Sequence, residues 1–327
     1  MAARTHVPIL LPGCLLAAAL AAGCSGSGAP AEAAKAGGAP ALSKAQAQQV
    51  LTSYAAAANR AGKRFSGRQL RAVEADPQLS MDVAALKLRR SIRKRPPKLA
   101  FSRTTFYIPR LTGYPHWFAA DTATGGGDRA LRHALLFTQA KAGAPWLLTA
   151  DPFPSAPSLG TIALDRDGFA TPVDPAAEDL AVAPGKLPQA HAALLTDGPG
   201  ASGAKLLADG AKTNETYKAL KQGEQTLAQR GVTLSSRFSP ASYRTYALRT
   251  KDRGAVVWYV LKQNEAYSAA KRGRLAVSGD LVGLAPAKAA RTRMDTTVLV
   301  QYLATVPPKG RATVSGMYRK AVSAHGS

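Results

Sequence analysis

RHALLFTQAKAGAPWLLTADPF, residues 132–153, decides the fold. Its two runs, 132–141 and 145–150, are rich in strand-forming residues, and Ala142, Gly143 and Ala144 form a turn between them. The stretch reads as an antiparallel pair, with 151–154 leading the chain out of the sheet. Working back towards the N-terminus, Phe101, residues 104–108 and residues 117–119 also follow a period of two and read as strands. Gly125, Gly126 and Gly127 form a loop.

Before Lys98 the period is helical. Ser43 and Gln46 are spaced as in a capping box, and the helix they open runs to about Asn59, with Val50, Leu51, Tyr54 and Ala58 on one face. Ser66 and Gln69 repeat the signature for a short helix to Glu74. Ser80 caps a third helix with Met81, Ala84, Ala85, Leu88 and Ile92 as its stripe, and Pro96 and Pro97 end it. Residues 161–171 read as extended.

The order then repeats. After a Pro-, Ala- and Asp-rich linker at 176–187, Pro188 starts a helix to about Leu195, and a longer helix runs from about Asn214 to Arg230. Strands are expected at 232–238, 244–248, 256–261, 275–284, 296–305 and 312–324, the last two forming a hairpin around Pro307 to Gly310. The class is α+β: two tandem domains, 43–175 and 188–327, each with helices before a curved antiparallel sheet.

This layout resembles the NTF2-like (cystatin-like) superfamily, in which helices pack into the concave side of a cone. The stretches that carry the resemblance are AQQVLTSYAAAANRA (47–61), RQLRAVEADPQLSMDVA (68–84), FAAD (118–121) and the hairpin at 135–153. As a whole the chain resembles an actinobacterial secreted lipoprotein family of unknown function. The resemblance is one of fold and transfers no catalytic residue.

The N-terminal 23 residues read as a signal peptide: Arg4, an apolar run from Val7 to Leu20, then small residues before Cys24. Residues 21–24 resemble a bacterial lipobox, with Ala21 where Leu is usual. That resemblance implies palmitate-type acylation of Cys24 and a protein held on the outer face of the cell membrane. Each buried CH₂ contributes about 0.8 kcal/mol, so two or three chains anchor firmly. Residues 25–42, rich in Gly, Ala, Ser and Pro, form a flexible tether. The chain has two cysteines, Cys14 and Cys24; with one removed and one acylated, thiol chemistry and Cys-ligated metal are excluded.

Lys and Arg number 43 against 20 Asp and Glu. An exported protein with this excess meets lipid headgroups and wall polymers rather than nucleic acid. The excess is densest at Lys87, Arg89, Arg90, Arg93, Lys94, Arg95 and Lys98, a candidate contact for anionic lipid, cell-wall polymer or another envelope protein.

Candidate pocket-lining residues in the first domain are Tyr54, Phe106, Trp117, Phe118 and Trp146. Tyr107 and Phe137 join them as core aromatics, and Tyr246, Trp258, Tyr259 and Tyr302 play that part in the second domain. A pocket also needs convergent polar groups. The resemblance to the NTF2-like superfamily, whose isomerase members use a buried acid as base, makes Asp121 a candidate, although a strand-end Asp is more often a turn former. Catalytic motifs are absent. Ser91–Lys94 and Ser268–Lys271 share the S-x-x-K spacing of penicillin-binding proteins but lack the partner motifs. His116, His133, His191 and His325 show no metal-site spacing, and no cofactor is expected. The expectation is a non-enzymatic binding protein of the envelope; the alternative is an isomerase- or dehydratase-type enzyme using a cone pocket.

Overall fold

The computed structural model describes residues 38–326, apart from 128–129, 156–157, 272–274, 286–288 and 291. The signal, Cys24 and most of the tether lie outside the described residues.

Three helices open the fold: α1 (Lys44–Arg64), α2 (Gly67–Leu70) and α3 (Gln78–Ser91). The capping box at Ser43 and Gln46 forms as read, but α1 continues a turn beyond Asn59 and stops where Phe65 turns left-handed. The stretch from Ser66 to Glu74 holds only the one turn of α2. Helix α3 starts before Ser80, whose backbone N–H and hydroxyl both bond Asp76 Oδ1. Ile92, expected on the buried stripe, is exposed.

Strands β1 (Phe101–Tyr107), β2 (His116–Thr124), β3 (Leu131–Gln139) and β4 (Leu147–Ala150) form an antiparallel sheet in that order. The hairpin of β3 and β4 matches the sequence reading. Residues 161–171 make no strand; Ile162, Leu164 and Ala170 form isolated bridges only. The short β5 (Phe153–Pro154) follows β4 and joins the other sheet.

Two helices, α4 (Leu187–Asp197) and α5 (Asn214–Gln229), precede the second set of strands. These are β6 (Val232–Pro240), β7 (Tyr246–Arg249), β8 (Ala255–Ala269), β9 (Leu275–Ala276), β10 (Ala289–Ala290), β11 (Arg293–Val306) and β12 (Thr313–Gly326). The larger antiparallel sheet runs β5-β12-β11-β8-β6, with β7 also on β8. The expected strand at 275–284 shrinks to β9, followed by a 3₁₀ turn at Gly279–Leu281.

Alternation along the strands sorts their side chains into separate cores. One core lies between α1 and the four-stranded sheet and includes Leu51, Tyr54, Phe118, Leu135, Phe137 and Leu148. The opposite face of that sheet, with Trp117, Ala119 and Leu136, packs on Val256, Trp258 and Leu303 of the larger sheet. There the Trp258 indole N–H donates to Ala134 O at 3.0 Å. The far face of the larger sheet, with Val257, Tyr259, Val300 and Tyr302, is covered by Leu187, Leu194 and their neighbours on α4. The layers are therefore helix, sheet, sheet, helix, with the two sheets back to back.

Candidate functional site

The core on the helical side of the four-stranded sheet fills that face only in part. A cup of about 490 Å³ opens between α1, α3 and the ends of β1 and β3. Helical spacing explains one wall: Tyr54, Ala58 and Gly62 lie one turn apart on α1 and leave room where larger side chains would close it. On α3 the same spacing aligns Gln78, Asp82, Leu86 and Arg89 along the facing wall. The segment carrying Pro96, Pro97 and Leu99 lines the cup. It is pinned by Asn59, whose Nδ2 donates to Leu99 O while its Oδ1 accepts from Leu99 N, both at 2.8 Å.

The floor is polar and buried. His133 on β3 is 3% exposed. Its Nδ1 meets Asp151 Oδ2 at 2.8 Å and its Nε2 meets Thr124 Oγ1 at 2.8 Å. Burial alone would lower the His133 pKa, but the Asp151 charge and hydrogen bond outweigh it and the pKa is raised. Glu74 is 2% exposed. Its Oε1 accepts from the Tyr54 hydroxyl at 3.3 Å, while its Oε2 receives no hydrogen bond. Burial, then the charge of Asp82, pushes its pKa up to about 10, so Glu74 is a neutral acid. Asp82 accepts from Gln78 Nε2 at 2.9 Å and from the Tyr318 hydroxyl at 3.4 Å. Burial pushes its pKa up to about 6, which leaves it mostly ionised at neutral pH.

Lys63, Arg89, Arg95 and Lys98 line the mouth, and no described acid forms an ion pair with any of them. Three members of the basic run, Arg89, Arg95 and Lys98, thus belong to the cup. Lys87, Arg90, Arg93 and Lys94 are exposed beside it.

Of the aromatics expected to line a pocket, the cup takes Tyr54. Phe106, Phe118 and Trp146 pack in or against the core beneath. Trp117 points to the other face of the sheet, against Tyr246, because it neighbours Phe118 in a strand. Asp121 shares that other face and is held by the Arg132 guanidinium through both carboxylate oxygens, so it does not serve the cup. Glu74, Gln78, Asp82, His133, Asp151 and Tyr318 were not singled out from sequence for this site.

Two other polar groups are structural. His191 is fully buried and bonds the Tyr259 hydroxyl and Lys212 O; burial pushes its pKa down to about 4, so it stays neutral. A second cavity of about 330 Å³ lies beside β8, β11 and β12. Its two acids are already engaged, Glu265 by Gln263, Tyr267, Thr296 and Arg319 and Asp280 by Lys320. Among the described residues no group of three or more His, Cys, Asp or Glu is placed to hold a metal ion.

The model of a domain of unknown function, DUF8094, matches residues 38–326, which include every element of both sheets. The chain belongs to the DUF8094 family. Among its relatives is an uncharacterized lipoprotein of Streptomyces coelicolor, 29% identical over 94% of this chain and 91% of the relative. An uncharacterized lipoprotein of Streptomyces avermitilis is 28% identical over 73% of this chain and 71% of its own length. A second from Streptomyces coelicolor is 27% identical over 71% and 70%. No solved structure matches the chain. Among the described residues of this DUF8094 chain, no helix is long and apolar enough to cross a membrane.

Proposed function

We propose that this chain is a lipid-anchored, extracytoplasmic protein that binds a small molecule in the cup, without transforming it. The observation that carries the reading is the cup itself: apolar walls, a few convergent buried polar groups and a volume within the usual range for ligand sites. The anchor is proposed at Cys24, supported by the lipobox-like 21–24 and by the relatives' description as lipoproteins. Each half is proposed to be an NTF2-like cone, on the grounds that helices precede an antiparallel sheet in both.

Two measurements test this. The Cys24→Ser variant should appear in the culture supernatant; its recovery in the membrane fraction would remove the anchor. Native mass spectrometry of the protein exposed to an envelope extract should find a retained small molecule, lost in Ala85→Trp, which fills the cup. Equal retention by both would remove the binding reading.

A second reading is favoured by the facing carboxyls, one neutral (Glu74) and one mostly ionised (Asp82), an acid–base inventory suited to isomerase or dehydratase chemistry. Under it, a bound ligand would exchange carbon-bound hydrogen in heavy water, and Asp82→Asn would stop the exchange. A ligand recovered without deuterium leaves the binding reading in place.

A further inference from the structure

We infer that the cup takes a small zwitterion, with its organic cation seated at the floor and its anionic group held at the mouth. This rests on the reading of the cup as a binding site and names the class of ligand.

The floor is ringed by aromatic side chains. Tyr54 and Phe101 have ring centroids 6.3 Å apart, Phe101 and His133 5.5 Å, His133 and Phe153 5.2 Å, and Phe153 and Tyr318 5.0 Å. The arc draws one ring from α1, one each from β1, β3 and β5, and one from β12. Tyrosine and phenylalanine faces attract cations, most strongly where water is excluded.

The charges within the arc do not cancel. His133 and Asp151 are hydrogen-bonded to each other, and burial keeps Glu74 protonated. Asp82 is held by neutral groups, Gln78, Tyr318 and the protonated Glu74, and no cation pairs with it among the described residues. Glu74 lies beside it, buried, and the two carboxyls share one hydrogen bond, which leaves one negative charge between them. A buried carboxyl pair with no cationic partner and aromatic walls together suit an ammonium or alkylated ammonium group.

The mouth has the opposite character. Lys63, Arg89, Arg95 and Lys98 repel a free cation and attract an anion. A simple anionic amphiphile would meet the rim well, but its alkyl end would then desolvate Asp82, Glu74 and two tyrosine hydroxyls without compensation. A molecule carrying both charges, separated by the apolar walls of Ala58, Leu70, Leu86 and Leu99, satisfies both ends.

The test is calorimetric titration of the purified full chain at pH 7.5 with 6-aminohexanoate, 6-(trimethylammonio)hexanoate, hexylamine and hexanoate. The zwitterions should bind about tenfold or more tighter than either singly charged probe. Asp82→Asn should abolish that advantage. The double variant Arg89→Gln/Lys98→Gln, at the solvent-facing mouth, should weaken the zwitterions while leaving hexylamine unchanged or tighter. Hexanoate or hexylamine binding as tightly as the zwitterions would overturn the inference and leave the cup a binding site. Failure of all four probes overturns it as well, and retention of an envelope molecule by the wild type but not by Ala85→Trp then shows that the binding reading survives.

Discussion

Gln301 and Asp151 are 150 residues apart in sequence, yet the Gln301 side-chain oxygen accepts the Asp151 backbone N–H at 2.7 Å. The Gln301 amide also donates to Gln78 Oε1 at 3.0 Å. One fully buried side chain on β11 thus ties α3 to the residue that orients His133. Its replacement by Leu leaves the Asp151 N–H and the Gln78 carbonyl without partners. Gln301→Leu should lower stability by about 1–3 kcal/mol, read as a lower urea midpoint at unchanged slope. An unchanged midpoint would show that the tie contributes nothing.

Glu74 gives a pH dependence of fixed sign. Its carboxyl is raised from 4.5 to about 10 in the folded chain. Between those values the native state holds a proton that the unfolded chain has released, so this group's contribution falls as pH rises, by about 1.4 kcal/mol per unit. Glu74→Gln keeps the neutral shape without the proton uptake. The variant should be more stable than the wild type by about 1–3 kcal/mol at pH 8, with the difference shrinking towards pH 5. Denaturation midpoints at the two pH values check it, and a pH-independent difference would contradict it.

Asp82 should set the pH profile of ligand binding. Burial raises its pKa to about 6, so the carboxylate is charged above that value and increasingly neutral below it. The groups facing it are Glu74, Gln78, Tyr318 and the hydrogen-bonded His133 and Asp151. Affinity for 6-aminohexanoate should therefore fall between pH 7 and pH 5, and Asp82→Asn should flatten the profile. Titration calorimetry across that range reads it.

The basic run divides into two sets with separable effects. Neutralising Lys87, Arg90, Arg93 and Lys94 to Gln removes exposed charge outside the cup. At about 1 kcal/mol per charge near an anionic surface, partition onto vesicles containing phosphatidylglycerol should drop steeply, while binding in the cup is retained. Co-sedimentation with anionic and neutral vesicles distinguishes the two; equal binding to both by the wild type would dismiss the surface contact.

Much of the framework was legible because its signals are local. The Gly143 turn fixes the hairpin of β3 and β4, and the Pro307 to Gly310 turn fixes that of β11 and β12. Strand β8 was read only as far as Leu261, yet it continues to Ala269. Its inward residues there include Gln263 and Glu265, so the apolar alternation fails where the buried side chains are polar. The cup was hidden for the same reason. With Ser80 taken as the cap of α3, Gln78 fell outside the helix, and Asp82 fell off the apolar stripe that marked its buried face. His133 looked like the start of a strand. Only tertiary packing brings these residues to Tyr318, and the one sequence signal was the polar Gln78, Asp82 and Arg89 recurring at helical spacing beside an apolar stripe.

The back-to-back sheets bear on how the molecule could be taken apart. A fragment ending within 176–187 would leave Trp117, Ala119 and Leu136 facing water and would lack Gln301 and Tyr318, a buttress and a wall of the cavity. Severing the chain there would yield a sticky stump with an incomplete receptor. Deletions meant to assign roles to each half must therefore be replaced by single substitutions, because the recognition surface is jointly owned.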